Sequence, residues 1–325
     1  MREMTYTAAA REGLAEEMAR DSTVFVVGEG IGARGGNFGT TLGLFDRYGP
    51  ERLRDTPISE RGFTGLCTGA AMTGTRPVVD YMFFDFALDG LGELINQTAK
   101  VQYLSDGRLK MPIVLRGCIG IGDSSGAHHT GNYYALFAHL PGFRVVVPST
   151  PRDVKGLLKT AIRSDDPVIF LEPRTLLNTK GPVPEEDYLI PFGQACLVRE
   201  GTDVSVVAVG AMVPRAVQAA EELANEAISV EIIAPRSIAP LDMATILASV
   251  HKTGRLLIVD ESYAPCGVGA EIAAHVMARG FDDLDAPVQR VNGAFTVVPY
   301  SPLLEHSIVP SCAQIVTALR DLLAE

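Results

Sequence analysis

The sequence predicts an α/β protein built from two domains, each with a parallel sheet covered by helices. Short runs of β-branched residues alternate with segments of helical periodicity along most of the chain, which is the pattern of parallel sheets. The length of 325 residues suits two cores better than one. A stretch rich in proline and acidic residues, 181–200, interrupts the alternation and is typical of a linker between domains.

Local signals predict the elements of the first domain, residues 1–180. Thr5 or Thr7 can cap a first helix, because a hydroxyl before an apolar stripe is a common helix start. Thr150-Pro151 begins a later helix, since proline is favoured at the first helical position. Residues 88–99 also have helical spacing. The predicted strands are 23–27, 77–81, 113–115, 144–147 and 168–171.

The same alternation predicts the second domain, residues 201–325. Its strands are predicted at 204–209, 230–233, 255–259 and 287–291. Its helices are predicted at 213–225, 242–251, 268–278 and 315–323. Both domains therefore belong to the α/β class.

Charge and composition exclude several classes of function. The formal net charge is -11, whereas binding of nucleic acid or anionic lipid needs clustered Lys and Arg, so we expect no nucleic acid and no membrane as partner. No apolar run approaches the roughly 18 residues of a membrane span. The acidic N-terminal segment is unlike a secretory leader or transit peptide, and the five scattered cysteines fit reduced thiols. We therefore expect a cytoplasmic protein.

Three local motifs leave their function open. The glycines that follow Val27 lack the spacing of a dinucleotide site and precede no P-loop lysine, so they predict a loop with positive φ angles or close backbone approach. The pair His128-His129 contains either one functional histidine or two solvated ones, and no third-ligand pattern supports a metal site. Glu60 is either a catalytic carboxylate or a surface partner of Arg61.

Several long stretches resemble the beta subunit of the thiamine-diphosphate-dependent 2-oxoacid dehydrogenases. They lie in order along nearly the whole chain and are RDTPISERGFTGLCTGAAMTGTRPVVDYMFFDFALDG, HHTGNYYALFAHLPGFRVVVPSTPRDVKGLLKTAIRSDDPVIFLEP, APRSIAPLD, VDESYAPCGVGAEIAAHV and VVPYSPLLE. The resemblance implies an N-terminal pyrimidine-binding domain with a parallel sheet and a transketolase C-terminal-like α/β domain. It also implies an α2β2 heterotetramer, with thiamine diphosphate at the interfaces between unlike subunits.

The resemblance assigns the cofactor-binding residues of this chain. Glu60 matches the glutamate that faces the pyrimidine ring, where a carboxylic acid bonded to a ring nitrogen promotes loss of the thiazolium proton. Phe86 matches the aromatic that stacks on the pyrimidine, and its alternative role is core packing. Glu29 is expected near the same cavity. Ile58, with Phe63, is expected to give apolar cover that keeps Glu60 protonated.

The resemblance also assigns an active-site histidine. His129 matches the residue that stabilises or protonates oxygen-bearing intermediates and assists acyl transfer to a lipoyl group. Its neighbour His128 is expected to contact the substrate or to support His129. Thr130-Gly131 follows where relatives often have Ser-Gln. Because this departure leaves the acyl acceptor and the substrate open, a carboligase that joins the acyl unit to an aldehyde or ketone is an alternative.

A potassium site is implied by the resemblance to some relatives. Its ligands would be the backbone carbonyls of Ile113, Ala161 and Ile162 and the side chain of Asp166. Ser164 stands where those relatives often have Asp. In the alternative interpretation, Asp166 belongs to an acidic turn at the end of a helix.

The diphosphate half of the cofactor site is missing from the sequence. No Gly-Asp-Gly segment occurs, although enzymes of this class use one, with a later Asn, to anchor the diphosphate through Mg²⁺. The resemblance assigns that motif and most of the Mg²⁺ binding to an alpha subunit. The expected substrate is a small 2-oxoacid, and the expected acceptor is a lipoyl acyltransferase. A non-catalytic scaffold or regulatory subunit is the alternative from another class.

Overall fold

The structure is a computed structural model that describes residues 1–325. The chain forms two compact units. The first consists of Met1–Ile119 and Leu136–Phe192, and the second of Gly120–Ala135 and Gly193–Glu325. The segment Gly120–Ala135, which carries the two adjacent histidines, therefore belongs to the second unit.

Strands and helices alternate along both units. The strands are β1 (Arg2–Thr5), β2 (Val24–Gly28), β3 (Leu53–Asp55), β4 (Arg76–Phe83), β5 (Val114–Ile119), β6 (Arg144–Val146), β7 (Val168–Pro173), β8 (Lys180–Val183), β9 (Cys196–Arg199), β10 (Val204–Ala208), β11 (Val230–Ala234), β12 (Ser237–Ala239), β13 (Leu256–Tyr263) and β14 (Gln289–Gly293). The helices are α1 (Tyr6–Arg20), α2 (Leu44–Tyr48), α3 (Glu60–Met72), α4 (Leu91–Glu93), α5 (Val101–Leu104), α6 (Tyr134–Ala138), α7 (Pro151–Arg163), α8 (Met212–Ala224), α9 (Met243–Thr253), α10 (Val268–Arg279), α11 (Pro302–Ser307) and α12 (Cys312–Ala324). None of the helices combines the length and the apolar character needed to cross a membrane.

Six parallel strands of the first unit form a sheet in the order β6-β7-β5-β4-β2-β3. Every residue of β5 and β7 is buried, as expected where helices cover both faces of a parallel sheet. Helices α1 and α7 pack against each other and share a core with β2 and β4. The predicted parallel sheet is confirmed, while the antiparallel pair β1–β8 was not predicted.

The strand order brings three chain segments to one edge of this sheet. Strands β4, β2 and β3 are parallel neighbours, so the residues that follow them lie at the same carboxyl edge, where ligands of α/β proteins commonly bind. Glu29 follows β2, Ile58 and Glu60 follow β3, and Phe86 follows β4. The topology thus places all four predicted cofactor residues at one edge.

Two predicted helix starts are confirmed. Thr5 is the N-cap of α1, and its hydroxyl oxygen accepts the Ala8 N–H at 3.2 Å. Thr150 caps α7 by accepting the Asp153 N–H at 3.1 Å, with Pro151 as the first helical residue. Each hydroxyl satisfies a backbone donor that has no partner inside its helix.

The segment predicted as helical at 88–99 is not one continuous helix. It contains the end of a 3-10 turn, the short α4, and a π turn at Leu94–Thr98. Gly90 lowers the local helix propensity, and the Thr98 hydroxyl donates to the Glu93 carbonyl, five residues earlier, at 3.3 Å. The apolar spacing identifies the buried Leu94 but does not reveal these breaks.

A buried ion pair lies among the central strands of the first unit. The fully buried Arg116 of β5 donates to Glu172 Oε2 of β7 from Nε at 2.9 Å and from Nη2 at 2.6 Å. Its Nε also lies 4.0 Å from Asp80 Oδ2 on β4. The Thr40 hydroxyl donates to that Asp80 oxygen at 3.2 Å. The charge of Arg116 thus compensates two buried carboxylates. Through the hydrogen bond from Thr40, Asp80 also connects the glycine-rich loop after β2 to the sheet.

The second unit has a five-stranded sheet in the order β14-β13-β10-β11-β9. Its strands are parallel except for β9, which is antiparallel to β11. Helices α8 and α12 pack together, and their apolar residues share a core with β10 and β11. The strands and helices predicted for this part of the chain are all present, with ends displaced by a few residues.

The predicted linker, 181–200, contains regular structure at both ends. Strand β8 pairs with β1, and β9 pairs with β11. Both strands lie at sheet edges, where proline is tolerated because one side of the strand needs no donor. Pro182 in β8 is an example. Proline and acidic residues therefore mark an edge strand here as well as a connection.

Candidate active site

Two carboxyl groups face each other at the carboxyl edge of the first sheet. Glu60 is the first residue of α3 and is only 8% exposed. The Glu29 side chain forms a hydrogen bond with Glu60. Burial, followed by the charge and hydrogen bond of Glu60 and the charge of Asp55, raises the pKa of Glu29. The raised pKa favours the protonated form of Glu29, which can then donate to Glu60, whereas two ionised carboxylates contain no donor.

Asp55 fixes the glycine-rich loop beside this carboxyl pair. Its Oδ1 accepts the Gly30 N–H at 2.6 Å. Gly30 and Gly35 have φ angles of 65° and 82°, a region that glycine adopts without strain. A Cβ atom on Gly28 would lie 2.2 Å from the Asp80 carbonyl oxygen. Positive φ and close backbone approach, the two reasons predicted for these glycines, are both confirmed.

The aromatic residues after β4 differ in their roles. Phe84 is fully buried, and its ring centroid lies 5.4 Å from that of Tyr81 and 5.2 Å from that of Phe137. Phe86 lies two residues later on the same 3-10 turn and is only partly buried. Core packing therefore accounts for Phe84 better than for Phe86, which leaves Phe86 suited to a contact with a ligand.

Ile58 does not provide the apolar cover expected for Glu60. Its side chain is 81% exposed in the single chain. The prediction that Ile58 shelters the Glu60 carboxyl is therefore wrong for this chain by itself. Phe63 lies three residues after Glu60 on α3, on the same helix face, and is 4% exposed. The exposed Ile58 remains a predicted contact of the cofactor.

The two adjacent histidines have different environments in the loop at residues 120–135. His128 is exposed, whereas His129 is partly buried. The His129 N–H donates to the Gly126 carbonyl at 3.3 Å, and the Thr130 hydroxyl donates to the same oxygen at 2.9 Å. This turn constrains the backbone of His129 and leaves the side chain of His128 in solvent.

Buried carboxyl groups at the end of β13 contact this histidine loop. Asp260 accepts the Tyr134 hydroxyl, and its Oδ1 accepts the Ser262 N–H at 2.9 Å. Glu261 Oε1 accepts the Ile121 N–H at 2.9 Å. Burial raises the pKa of Asp260 to about 6 and that of Glu261 to about 7. Both groups thus titrate close to neutral pH.

The raised pKa of Glu261 predicts a stability that depends on pH. The carboxyl has an ordinary pKa of 4.5 and a pKa of about 7 when buried, so the folded state binds its proton more tightly than the unfolded state. Stability is therefore lost as the pH rises through this window. Glu261→Gln removes this ionisation. The free energy of unfolding of the variant minus that of wild type should therefore be about 2 kcal/mol larger at pH 8 than at pH 5. Urea unfolding at the two pH values measures this difference.

Glu222→Gln is the matched control for this measurement. Glu222 lies exposed on α8, 3.8 Å from Arg320, so the same chemical change there should alter stability equally at both pH values. A Glu261→Gln difference that stays constant between pH 5 and pH 8 would contradict the raised pKa.

The carbonyl oxygens predicted to bind potassium have other partners. Those of Ile113 and Ala161 accept backbone N–H groups at 2.9 Å and 3.2 Å. That of Ile162 accepts Arg76 Nη1 at 3.1 Å, and the same nitrogen donates to the Ser164 carbonyl at 2.8 Å. A guanidinium therefore supplies positive charge to this turn.

The predicted potassium ligand Asp166 is also engaged. Its Oδ2 accepts Arg144 Nη2 at 2.8 Å and Nε at 3.1 Å, and Asp165 Oδ1 accepts Arg76 Nη2 at 2.7 Å. These contacts favour the alternative of an acidic turn after α7, held by two arginines, and the potassium site stays a prediction without structural support. No group of three or more His, Cys, Asp or Glu side chains is arranged to hold a metal ion.

Two known families match successive parts of the chain. Residues 2–180 match the family described as the transketolase pyrimidine binding domain. Residues 193–315 match the transketolase C-terminal domain. The predicted fold class, a pyrimidine-binding α/β domain followed by a transketolase C-terminal-like α/β domain, is confirmed.

Curated relatives share nearly the full length of the chain. It is 46% identical to the mitochondrial pyruvate dehydrogenase E1 component subunit beta-2 of Oryza sativa subsp. japonica, over 98% of this chain and 86% of the relative. It is 44% identical to the pyruvate dehydrogenase E1 component subunit beta of Rickettsia felis, over 98% of both chains. It is also 44% identical to the acetoin:2,6-dichlorophenolindophenol oxidoreductase subunit beta of Cupriavidus necator, over 98% of this chain and 97% of the relative.

A solved structure with the same fold comes from a more distant protein. The chain titled "Split gene transketolase, inactive beta4 tetramer" matches with a TM-score of 0.80 at 21% identity, covering 99% of this chain and 98% of that one. At this identity the likeness shows the fold alone.

Proposed function

The chain belongs to the family of the beta subunits of thiamine-diphosphate-dependent 2-oxoacid dehydrogenases, and from this membership we propose that it supplies the pyrimidine half of a cofactor site. An alpha subunit supplies the diphosphate half with Mg²⁺, in an assembly of two alpha and two beta chains. The complete enzyme decarboxylates a small 2-oxoacid and transfers the acyl group to the lipoyl group of an acyltransferase.

The pair of Glu29 and Glu60 carries this proposal. A pyrimidine ring nitrogen accepts hydrogen bonds, so the carboxyl that faces it must hold a proton. Glu60 is buried and forms a hydrogen bond with Glu29, whose pKa is raised. Phe86 is partly buried after the neighbouring strand and offers a ring face for stacking. This set of a hydrogen-bonded carboxyl pair and an aromatic ring fits an aminopyrimidine.

Each residue has a distinct task in the proposed reaction. Thiamine diphosphate, when bound, would supply a carbon nucleophile and an electron sink for decarboxylation of the 2-oxoacid. Glu60 would hold a proton at the pyrimidine nitrogen, and Glu29 would hold the Glu60 carboxyl in place through their hydrogen bond. Phe86 covers the face of the ring, and His129 holds a proton at the substrate oxygen. His128, exposed beside it, has no assigned proton.

The diphosphate and the metal are assigned to the alpha subunit in this proposal. The chain lacks a Gly-Asp-Gly segment, and none of its carboxylate and histidine clusters could hold a metal ion. Mg²⁺ usually binds through one or two carboxylates together with phosphate oxygens. A partner that contributes this motif completes the site without any change in the present chain.

Reconstitution with the alpha subunit tests the proposed activity. The assembly, supplied with thiamine diphosphate and Mg²⁺, should release carbon dioxide from pyruvate or a branched-chain 2-oxoacid and reduce a dye acceptor. It should also acylate a lipoylated acyltransferase domain. The beta chain alone should do neither, because it lacks the diphosphate half. Failure of every 2-oxoacid in an assembly that binds the cofactor would contradict the proposed substrate class.

The two alternative functions have their own outcomes in the same experiment. The Thr130-Gly131 pair after His129 motivates the carboligase, which would form an acyloin with an added aldehyde while the lipoyl domain stays unmodified. The non-catalytic scaffold would bind the alpha subunit but leave turnover independent of Glu60. Acyl transfer to the lipoyl domain as the sole product removes the carboligase, and loss of this turnover in Glu60→Ala removes the scaffold.

A further inference from the structure

One buried carboxylate of the second unit holds the backbone of the histidine loop. Glu305 lies on α11 and is 2% exposed. Its Oε1 accepts the Gly122 N–H at 3.1 Å, and its Oε2 accepts the Ser124 N–H at 3.2 Å. Both oxygens of a single side chain are therefore occupied by the loop that carries His129.

The loop is strained at the point where Glu305 binds it. Gly122, Asp123 and Ser124 have φ angles of 145°, 65° and 51°, and the last two are L-residues in the left-handed region, which L side chains rarely adopt. Hydrogen bonds from backbone N–H groups to a carboxylate are stronger than those to a neutral acceptor. Glu305 therefore stabilises the loop at its strained residues.

A second contact connects the same chain segment to the turn of His129. A Cβ atom on Gly126 would lie 2.4 Å from Tyr300 Cζ, so the ring of Tyr300 lies directly against Gly126. The Gly126 carbonyl accepts the His129 N–H. The stretch from Tyr300 to Glu305 thus touches the loop both before and within the turn that fixes His129.

We propose that Glu305 is a positioning residue, which sets the location of His129 by holding the backbone of residues 122–124 in its left-handed conformation. The inference rests on the proposed role of His129 in the reaction. Both carboxylate oxygens of Glu305 accept backbone amides of the loop, so its effect on turnover should pass through the histidine. The distinguishing consequence is that Glu305 should matter to turnover only while His129 is present.

Amide hydrogen exchange tests the structural half of this inference independently of activity. Glu305→Gln retains the shape of the side chain but offers one acceptor oxygen instead of two, so one of the Gly122 and Ser124 amides must lose its partner. In the complete assembly, its exchange rate should rise on the order of 10-fold. Glu222→Gln on the exposed face of α8 should leave both rates unchanged. Unchanged exchange in Glu305→Gln would overturn the inference.

A double-mutant cycle tests the functional half. Glu305→Gln should lower kcat on the order of 10-fold with little change in KM, and it should have no further effect in a His129→Ala background. Equal effects in both backgrounds would overturn the action through His129. If His129→Ala alone leaves kcat unchanged, the proposed role of His129 is wrong, and so is the inference that Glu305 acts on turnover through it. The exchange measurement still decides whether Glu305 holds the loop.

A second variant covers the case in which Glu305→Gln does not fold. Tyr300 is 69% exposed, so Tyr300→Ala removes the ring beside Gly126 without opening the core. It should raise exchange at the His129 amide and lower kcat in the same direction as Glu305→Gln. Unaltered exchange and kcat in Tyr300→Ala would overturn the link between this segment and the histidine.

Discussion

Glu60→Gln should lower the turnover of the reconstituted assembly by about 10³-fold, within the range expected for a positioned acid–base group. The amide retains the size of the side chain and one N–H donor, so it can still form a hydrogen bond with a ring nitrogen. The amide has no acidic proton to transfer, and the substitution removes the carboxyl group that forms a hydrogen bond with Glu29. Steady-state assays with a 2-oxoacid and a dye acceptor measure the loss.

The matched control for this variant is Glu51→Gln. The Glu51 side chain is 88% exposed and pairs only with Arg54 at 3.2 Å, so turnover should stay within about two-fold of wild type. Cofactor affinity should change much less than turnover in Glu60→Gln, because the donor remains. Turnover of Glu60→Gln that equals that of Glu51→Gln would rule out Glu60 as the catalytic acid.

His129→Ala should lower turnover by about 10²-fold to 10³-fold, while His128→Ala should change it by less than about three-fold. The two residues are adjacent, yet His128 is exposed and His129 is partly buried, with its backbone held by Gly126. The neighbour therefore serves as a control with the same chemistry. Assays should follow both carbon dioxide release and acyl transfer to a lipoyl domain, since the proposed role covers both steps.

The relative sizes of the two histidine effects decide this prediction. A larger loss of turnover in His128→Ala than in His129→Ala would show that His129 is not the active-site histidine. Equal and small losses would mean that the loop has no part in proton transfer. Circular dichroism of each variant confirms that the fold is retained, so that a loss of turnover can be attributed to the side chain.

Local sequence signals predicted most elements of the fold because they act over a few residues. Thr5 and Thr150 cap their helices with hydroxyl groups that are recognisable from sequence. The buried strand β13 has a continuous run of apolar residues at its start. Strands β8 and β9 were missed because they are short edge strands, and their pairing with β1 and β11 joins distant segments.

The candidate site was only partly predictable for a similar reason. Glu60 and Glu29 were identified by resemblance, but their mutual hydrogen bond depends on the order of strands in the sheet. The sequence shows Glu261 as part of an acidic pair. Its burial, however, depends on the histidine loop, whose Ile121 N–H donates to it. Glu305 gives no local signal, because its two acceptor contacts join positions 181 and 183 residues apart in the sequence.

Thiamine diphosphate binding measured by calorimetric titration tests the central claim most directly. With Mg²⁺ present, the chain alone should show no binding, whereas the assembly with the alpha subunit should bind the cofactor. Glu60→Ala in that assembly should weaken binding by about 10-fold or more, because it removes a buried hydrogen-bonding partner of the ring. Full-affinity binding by the chain alone, or unaltered binding in the Glu60→Ala assembly, would contradict the assignment of the pyrimidine half-site to this chain.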